Sequence, residues 1–236
     1  MVPSDATAGD QTRPTRIVVM VSGNGSNLQA VLDACADGRI TGRVVAVVSN
    51  RADVFALQRA DAAGVPAVHI GAAPGEPRAE YDARLADVVA GFEPDVVVLA
   101  GWMRVLTMSF LGWFPNQVIN LHPALPGDLP GTDSIRRAWD SALAGERTST
   151  GVMVHLVPDD GIDDGPTLAT RTVDIDRAGS FEAFETTMHA VEHDLLVATV
   201  ATVCQDRSIL HTLATIETSA DPTARTHPTE SEELHV

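Results

Sequence analysis

The sequence predicts a single-domain, doubly wound α/β fold: a mostly parallel sheet with helices on both faces and an antiparallel extension near the C-terminus. Three observations carry this. Short runs of consecutive apolar, largely β-branched residues recur along the chain, as strands covered on both faces require. Segments of helical period separate them, and that alternation builds a parallel sheet through crossover connections. Late in the chain the order changes to two strands in succession, residues 150–157 and 168–173, which suits an antiparallel pair.

Taken in order, residues 1–15 are polar, carry Asp5 and Asp10 and lack an apolar run, so they read as a disordered tail rather than a secretory or transit segment. Residues 17–21 form the first buried strand. They lead through Ser22-Gly23-Asn24-Gly25-Ser26-Asn27 into a helix covering residues 28–35. Residues 44–48 are a second strand, residues 54–63 a helix stopped by Gly64 and Pro66, and residues 67–70 a short third strand. After the Gly- and Pro-rich stretch 71–77, a helix is expected over residues 78–90 and a central strand over 95–100. Residues 118–120 return to the sheet, and residues 134–144 are helical. Ser180 caps a long helix from Phe181 to about Cys204, with Glu182 and Glu185 near its positive end. The domain then spans residues 16–207, and residues 208–236 form an extension that is disordered from about residue 219. This order is that of a Rossmann-like sheet.

Composition narrows the function. At 236 residues and 44% apolar content the chain fills one domain, and no run approaches the roughly 18 apolar residues of a membrane span. A formal net charge of −16 argues against nucleic acid, which needs a basic footprint. An anionic ligand must therefore be captured locally, by helix-terminal N–H groups and a few placed arginines. Cys35 and Cys204 stand far apart within helical segments, which suggests reduced thiols in a cytoplasmic protein rather than a disulfide framework or a metal site.

Three stretches carry candidate chemistry. In the run from Val118 to Gly127, Asn120 and His122 are two positions apart at a strand end, so both point to one side. An amide that holds a developing oxyanion beside a ring that moves a proton suits acyl or formyl transfer. The glycine loop lacks the third small residue of a dinucleotide fingerprint, having Leu28 there, and Ser49 and Asn50 stand where a ribose-binding acid is expected. A P-loop lysine is also missing. What remains suits a single phosphate monoester held by the N–H groups of Gly25, Ser26 and Asn27, the alternative being that Ser26 or Asn27 only caps the helix. The third stretch is Gly161-Ile162-Asp163-Asp164-Gly165-Pro166, where Asp163, a turn residue on its own, is placed to meet His122 and raise the ring's pKa.

The segments around Ser22 to Asn27, Asp95 to Arg104, Ile119 to Pro123 and Ile162 to Pro166 resemble, in that order, the motifs of the folate-dependent phosphoribosylglycinamide formyltransferase family, over about residues 16–207. The resemblance implies the formyltransferase fold and transfer of formyl from 10-formyltetrahydrofolate to the glycinamide amine in purine biosynthesis, without a metal. By matching position it implies Asn120, His122 and Asp163 as the catalytic group and Gly25, Ser26 and Asn27 as the phosphate site. It also implies Glu192 as a contact to the ribonucleotide, and Arg78, Met103, Arg104, Val105 and Leu106 as the folate wall. Its partners would be small molecules, with neither nucleic acid nor membrane, and the protein a cytoplasmic monomer or homodimer. The chain departs from the commonest pattern after His122, where it reads Pro123-Ala124-Leu125-Pro126-Gly127, and at Asp128, Asp133 and His189. A formyl-folate hydrolase is the nearest alternative, though an additional N-terminal domain is usual there and only about fifteen residues precede Ile17. A non-catalytic phosphosugar- or folate-binding module is the other.

Overall fold

The computed structural model describes residues 13–220. Seven strands form one sheet in the order β3-β2-β1-β4-β5-β6-β7. They are β1 (Thr15–Val21), β2 (Gly42–Ser49), β3 (Ala67–His69), β4 (Val96–Leu99), β5 (Val118–His122), β6 (Ser149–Leu156) and β7 (Thr167–Asp174). The first five run parallel, and β6 and β7 are antiparallel additions, as the two successive strands in the sequence require. The helices are α1 (Ser26–Ala36), α2 (Phe55–Ala62), α3 (Arg78–Ala90), α4 (Met108–Leu111), α5 (Ser134–Leu143), α6 (Phe181–Gln205) and α7 (Ser208–Ala220).

Alternation along β1 divides the core. Ile17, Val19 and Val21 point to the face covered by α1 and α6, where they meet Leu28, Val31, Met188 and Leu196. Val18 and Met20 point to the other face, among Tyr81, Leu85 and Phe110 of α3 and α4. All five are fully buried, which is why the run carries no alternating polar residue. Burial of each such side chain contributes about 1.5–3 kcal/mol.

Several boundaries differ from the sequence reading. β1 begins at Thr15, inside the stretch expected to be a tail, because Thr15 pairs with Gly42 and Arg13 holds both carboxylate oxygens of Asp95 at 2.8 and 2.9 Å. β5 continues to His122, which pairs with Met153 of β6, and stops at Pro123. The one-turn helix α4 was too short to show a period, and α7 occupies the start of the expected C-terminal extension. The parts of the two tails expected over residues 1–12 and 221–236 lie outside the described residues.

The chain leaves β1 for β2 and β3 on one side and returns through β4 and β5 on the other. The crevice at the carboxyl ends of β1 and β4 is therefore the switch point where ligands of such sheets bind. Two hydrogen bonds close its floor: the Ser22 N–H donates to the Gly101 carbonyl at 3.0 Å, and the Met103 N–H to the Ser22 hydroxyl at 2.9 Å.

Candidate active site

Asn120 and His122 leave the end of β5 on one side, and β6 supplies His155 directly opposite Asn120. The loop between β6 and β7 brings in Asp163, whose backbone takes the left-handed conformation at φ 54°. That turn is tightly folded, since a Cβ on Gly161 would lie 2.2 Å from the Asp164 carboxylate and one on Gly165 2.1 Å from the Leu156 carbonyl. The Asp163 carboxylate is the hub. Its Oδ1 accepts from the Asn120 amide at 3.1 Å and lies 3.6 Å from His155 Nε2; its Oδ2 accepts from the Gly131 N–H at 2.9 Å and lies 3.3 Å from His122 Nδ1. Asn120 and His122 from β5 and His155 from β6 thus meet around one carboxylate brought in by the loop after β6.

At His122 the expected upward pull of Asp163 is present, and burial opposes it. Burial is the largest influence on His122 and holds its pKa below the ordinary value, against the pull of Asp163 and of the Leu129 carbonyl 3.0 Å from Nε2. Desolvation of the charged ring outweighs one carboxylate at this distance, so the ring rests neutral rather than as imidazolium. Both nitrogens nevertheless face acceptors, and only the protonated ring can donate to both. Burial also works against the Asp163 carboxylate, but His155, the Gly131 N–H and His122 together hold its pKa below the usual carboxylate range.

His155 was not singled out in the sequence. It is 2% exposed, with Nδ1 2.8 Å from the Leu156 carbonyl and Nε2 3.1 Å from the Asn120 amide nitrogen. His155 Nε2 thus faces both the Asn120 amide and, at 3.6 Å, Asp163 Oδ1. Only strand register reveals it, because the residue opposite Asn120 is set by where β6 pairs.

At the glycine loop, Gly25 is the N-cap of α1 at φ 78°, and a Cβ there would lie 2.6 Å from Ala56 Cβ. No side chain caps this helix, so its first N–H groups are not spent on Ser26 or Asn27. The Asn27 amide instead donates to Glu192 Oε2 at 3.2 Å, leaving Asn27 Oδ1 buried without a partner. His189 Nδ1 reaches the same Glu192 oxygen at 3.0 Å, and that contact holds the ring's pKa above its ordinary value.

Between these groups lies a cavity of about 240 Å³, lined by Asn120, His122, His155 and Asp163, by Leu99 and residues 101–106, and by Asn27. Met103 and Ile162 stand 58% and 53% exposed at its rim, while Trp102 and Leu106 are buried in its wall. Arg104 lies over the Tyr81 ring at 4.6 Å. Arg78 does not line the cavity; its guanidinium donates to the Val105 carbonyl and braces the wall from behind. Among the described residues no group of three or more His, Cys, Asp or Glu has the arrangement of a metal site.

The fold is that of a formyl-transferring α/β domain: residues 15–200 match the family model described as formyl transferase, and the chain belongs to that family. Its relatives are narrower in kind. A phosphoribosylglycinamide formyltransferase of Schizosaccharomyces pombe is 39% identical over 202 residues, covering 80% of this chain and 97% of that protein. One from Escherichia coli is 36% identical over 195 residues, covering 83% and 90%. The crystal structure of glycinamide ribonucleotide transformylase 1 from Symbiobacterium toebii superposes with a TM-score of 0.76 at 36% identity, covering 84% of this chain and 91% of that one.

Proposed function

We propose that this protein transfers the formyl group of 10-formyltetrahydrofolate to the amine of 5'-phosphoribosylglycinamide, a step of purine biosynthesis, by direct acyl transfer. The observation that carries the reading is the meeting of Asn120, His122 and Asp163 at one end of a cavity that reaches Asn27 beside the glycine loop. A phosphate on the N–H groups of Gly25, Ser26 and Asn27, with Glu192 on the ribose, directs the glycinamide amine toward His122. The apolar wall of Leu99, Trp102, Met103, Val105 and Leu106, with Arg104 at its edge and Arg78 behind it, suits a flat aromatic heterocycle with an acidic tail.

As charge develops on the formyl oxygen, the Asn120 amide exchanges its hydrogen bond to Asp163 Oδ1 for one to that oxygen. His122 starts neutral and takes the proton that the attacking amine sheds. The imidazolium so formed is held between Asp163 and the Leu129 carbonyl, and its charge stabilises the oxyanion. As the tetrahedral adduct collapses, the bond from the formyl carbon to the folate nitrogen breaks and the imidazolium gives its proton to that departing nitrogen, so Asp163 orients His122 and stabilises the charge it carries between the two proton transfers. The substrate amine is the nucleophile, so no enzyme side chain needs to be acylated, and Asn120 with His122 covers the developing charge without calling on a metal. The partners on this reading are small molecules of the cytoplasm, with neither nucleic acid nor membrane, and the protein is a monomer or homodimer.

The test is formyl loss from 10-formyltetrahydrofolate with and without glycinamide ribonucleotide. Loss that depends on the ribonucleotide and yields its formylated product is expected. Equal loss without it would make the protein a hydrolase, and no loss with both would make it a binding module.

A further inference from the structure

Arg59, on α2, lies outside the cavity, yet its guanidinium is committed to the glycine loop. Nε donates to the Asn24 carbonyl at 3.0 Å, Nη2 to the Asn24 side-chain oxygen at 3.0 Å, and Nη1 to the Gln29 side-chain oxygen at 3.1 Å. The group lies 4.6 Å above the ring of Phe55, whose 49% exposure is otherwise unexplained for a large apolar side chain. The same helix supports the loop from beneath: Ala56 packs against Gly25 where a side chain would sit, and its N–H donates to the Gly23 carbonyl at 3.3 Å. A planar fork is suited to fixing two acceptors on one residue, and a lysine offers no such geometry. Arg59 also lines a shallow opening beside α1 with Ser26, Arg39 and His193, where Asp33 and Asp194 stand as well, and its contacts to Asn24 and Gln29 keep its charge at the first turn of that helix.

We propose that Arg59 is a positioning residue for the substrate phosphate. It fixes the turn through Asn24 so that the N–H groups of Gly25, Ser26 and Asn27 converge on one point, and it supplies local positive charge in a chain of formal net charge −16. The inference rests on the reading of this loop as a phosphate monoester site and adds the residue that shapes it.

The test compares Arg59→Gln and Arg59→Lys with the parent enzyme on glycinamide ribonucleotide and on its dephosphorylated ribonucleoside, both with 10-formyltetrahydrofolate. For Arg59→Gln, the KM for the ribonucleotide should rise about tenfold or more, the scale of losing charge-assisted hydrogen bonds, with kcat and the folate KM within about twofold. On the dephosphorylated acceptor, kcat/KM should match the parent. Arg59→Lys, which keeps the charge and loses the fork, should fall between the two, and it carries the comparison if circular dichroism shows that the Gln variant does not fold. An unchanged ribonucleotide KM in a folded variant, or an equal loss on both acceptors, would overturn the proposal while leaving the phosphate reading of the loop intact. A parent enzyme that uses both acceptors equally well would overturn the phosphate reading and this proposal with it.

Discussion

At Asp163 a residue with a side chain occupies a backbone conformation usually left to glycine, and such positions cost about 1–3 kcal/mol. Asp tolerates the conformation better than most, and here it gains contacts from Asn120, Gly131 and His122 that no glycine could make. Asp163→Asn should keep the fold and lower kcat by roughly a hundredfold or more, as loss of an interaction made in the transition state does. Near-parental turnover would remove Asp163 from the catalytic group. The pH profile adds a second check. Since His122 must be neutral to accept a proton and its pKa is already held down, kcat should fall on the acid side below the ring's ordinary value of 6.5. Removing the Asp163 charge takes away an influence that raises the ring's pKa, so in Asp163→Asn this acid limb should move to lower pH; a move to higher pH would contradict the assignment. Residue types and their parity along a strand made Asn120 and His122 readable in the sequence. The charge state of His122 was not readable, because the burial that decides it comes from residues far along the chain.

The elements show where pattern carries information. The buried strands and α3 were legible because continuous apolar runs and a helical period survive in the sequence, and the Ser180 cap of α6 was legible because its hydroxyl accepts from the Ala183 N–H at 3.2 Å. Ser180→Ala should lower stability by about 1 kcal/mol with kcat and both KM values unchanged, read by thermal melts beside steady-state assays. The loop before α1 is constrained differently. Gly25→Ala would set a Cβ against Ala56 at a positive φ, so either the loop or α2 must shift. A destabilisation of about 1–3 kcal/mol and a raised KM for the ribonucleotide are expected together; a melt and a KM both unchanged would mean the loop tolerates the side chain and is not held in this shape. The start of β1 at Thr15 and helix α7 were illegible for a common reason. Each is held by tertiary contacts rather than by a local pattern: Thr15 by Gly42 and its neighbour Arg13 by Asp95, and α7 by Leu210 seated in the core.

Across the whole molecule the sheet places the cluster of Asn120, His122, His155 and Asp163 and the glycine loop at opposite ends of one crevice, the first on β5, β6 and the loop after β6, the second after β1. Three histidines, one in this crevice and two on α6, give stability a pH dependence of predictable sign. Burial holds His122 and His193 below the ordinary 6.5, so the stability of their neutral forms is full above that pH and is lost as pH falls through their lowered values. His189, raised by Glu192, works in the opposite sense: its contribution is full below 6.5 and is lost as pH rises through its raised value. Between pH 7 and pH 5 the melting temperature of His122→Gln should therefore fall less than the parent's, and that of His189→Gln more. Cys35 and Cys204 take no part, since burial pushes both thiols up to about 11 and keeps them protonated. The central claim is that one centre moves a formyl group directly between two bound substrates. A single-turnover experiment with 10-formyltetrahydrofolate labelled in the formyl carbon, mixed with excess enzyme and glycinamide ribonucleotide, tests it most directly. Label should pass to the ribonucleotide without appearing as free formate or on the protein, and should stay on the folate with His122→Ala. Label released as formate, or transferred at the parental rate by His122→Ala, would contradict the account.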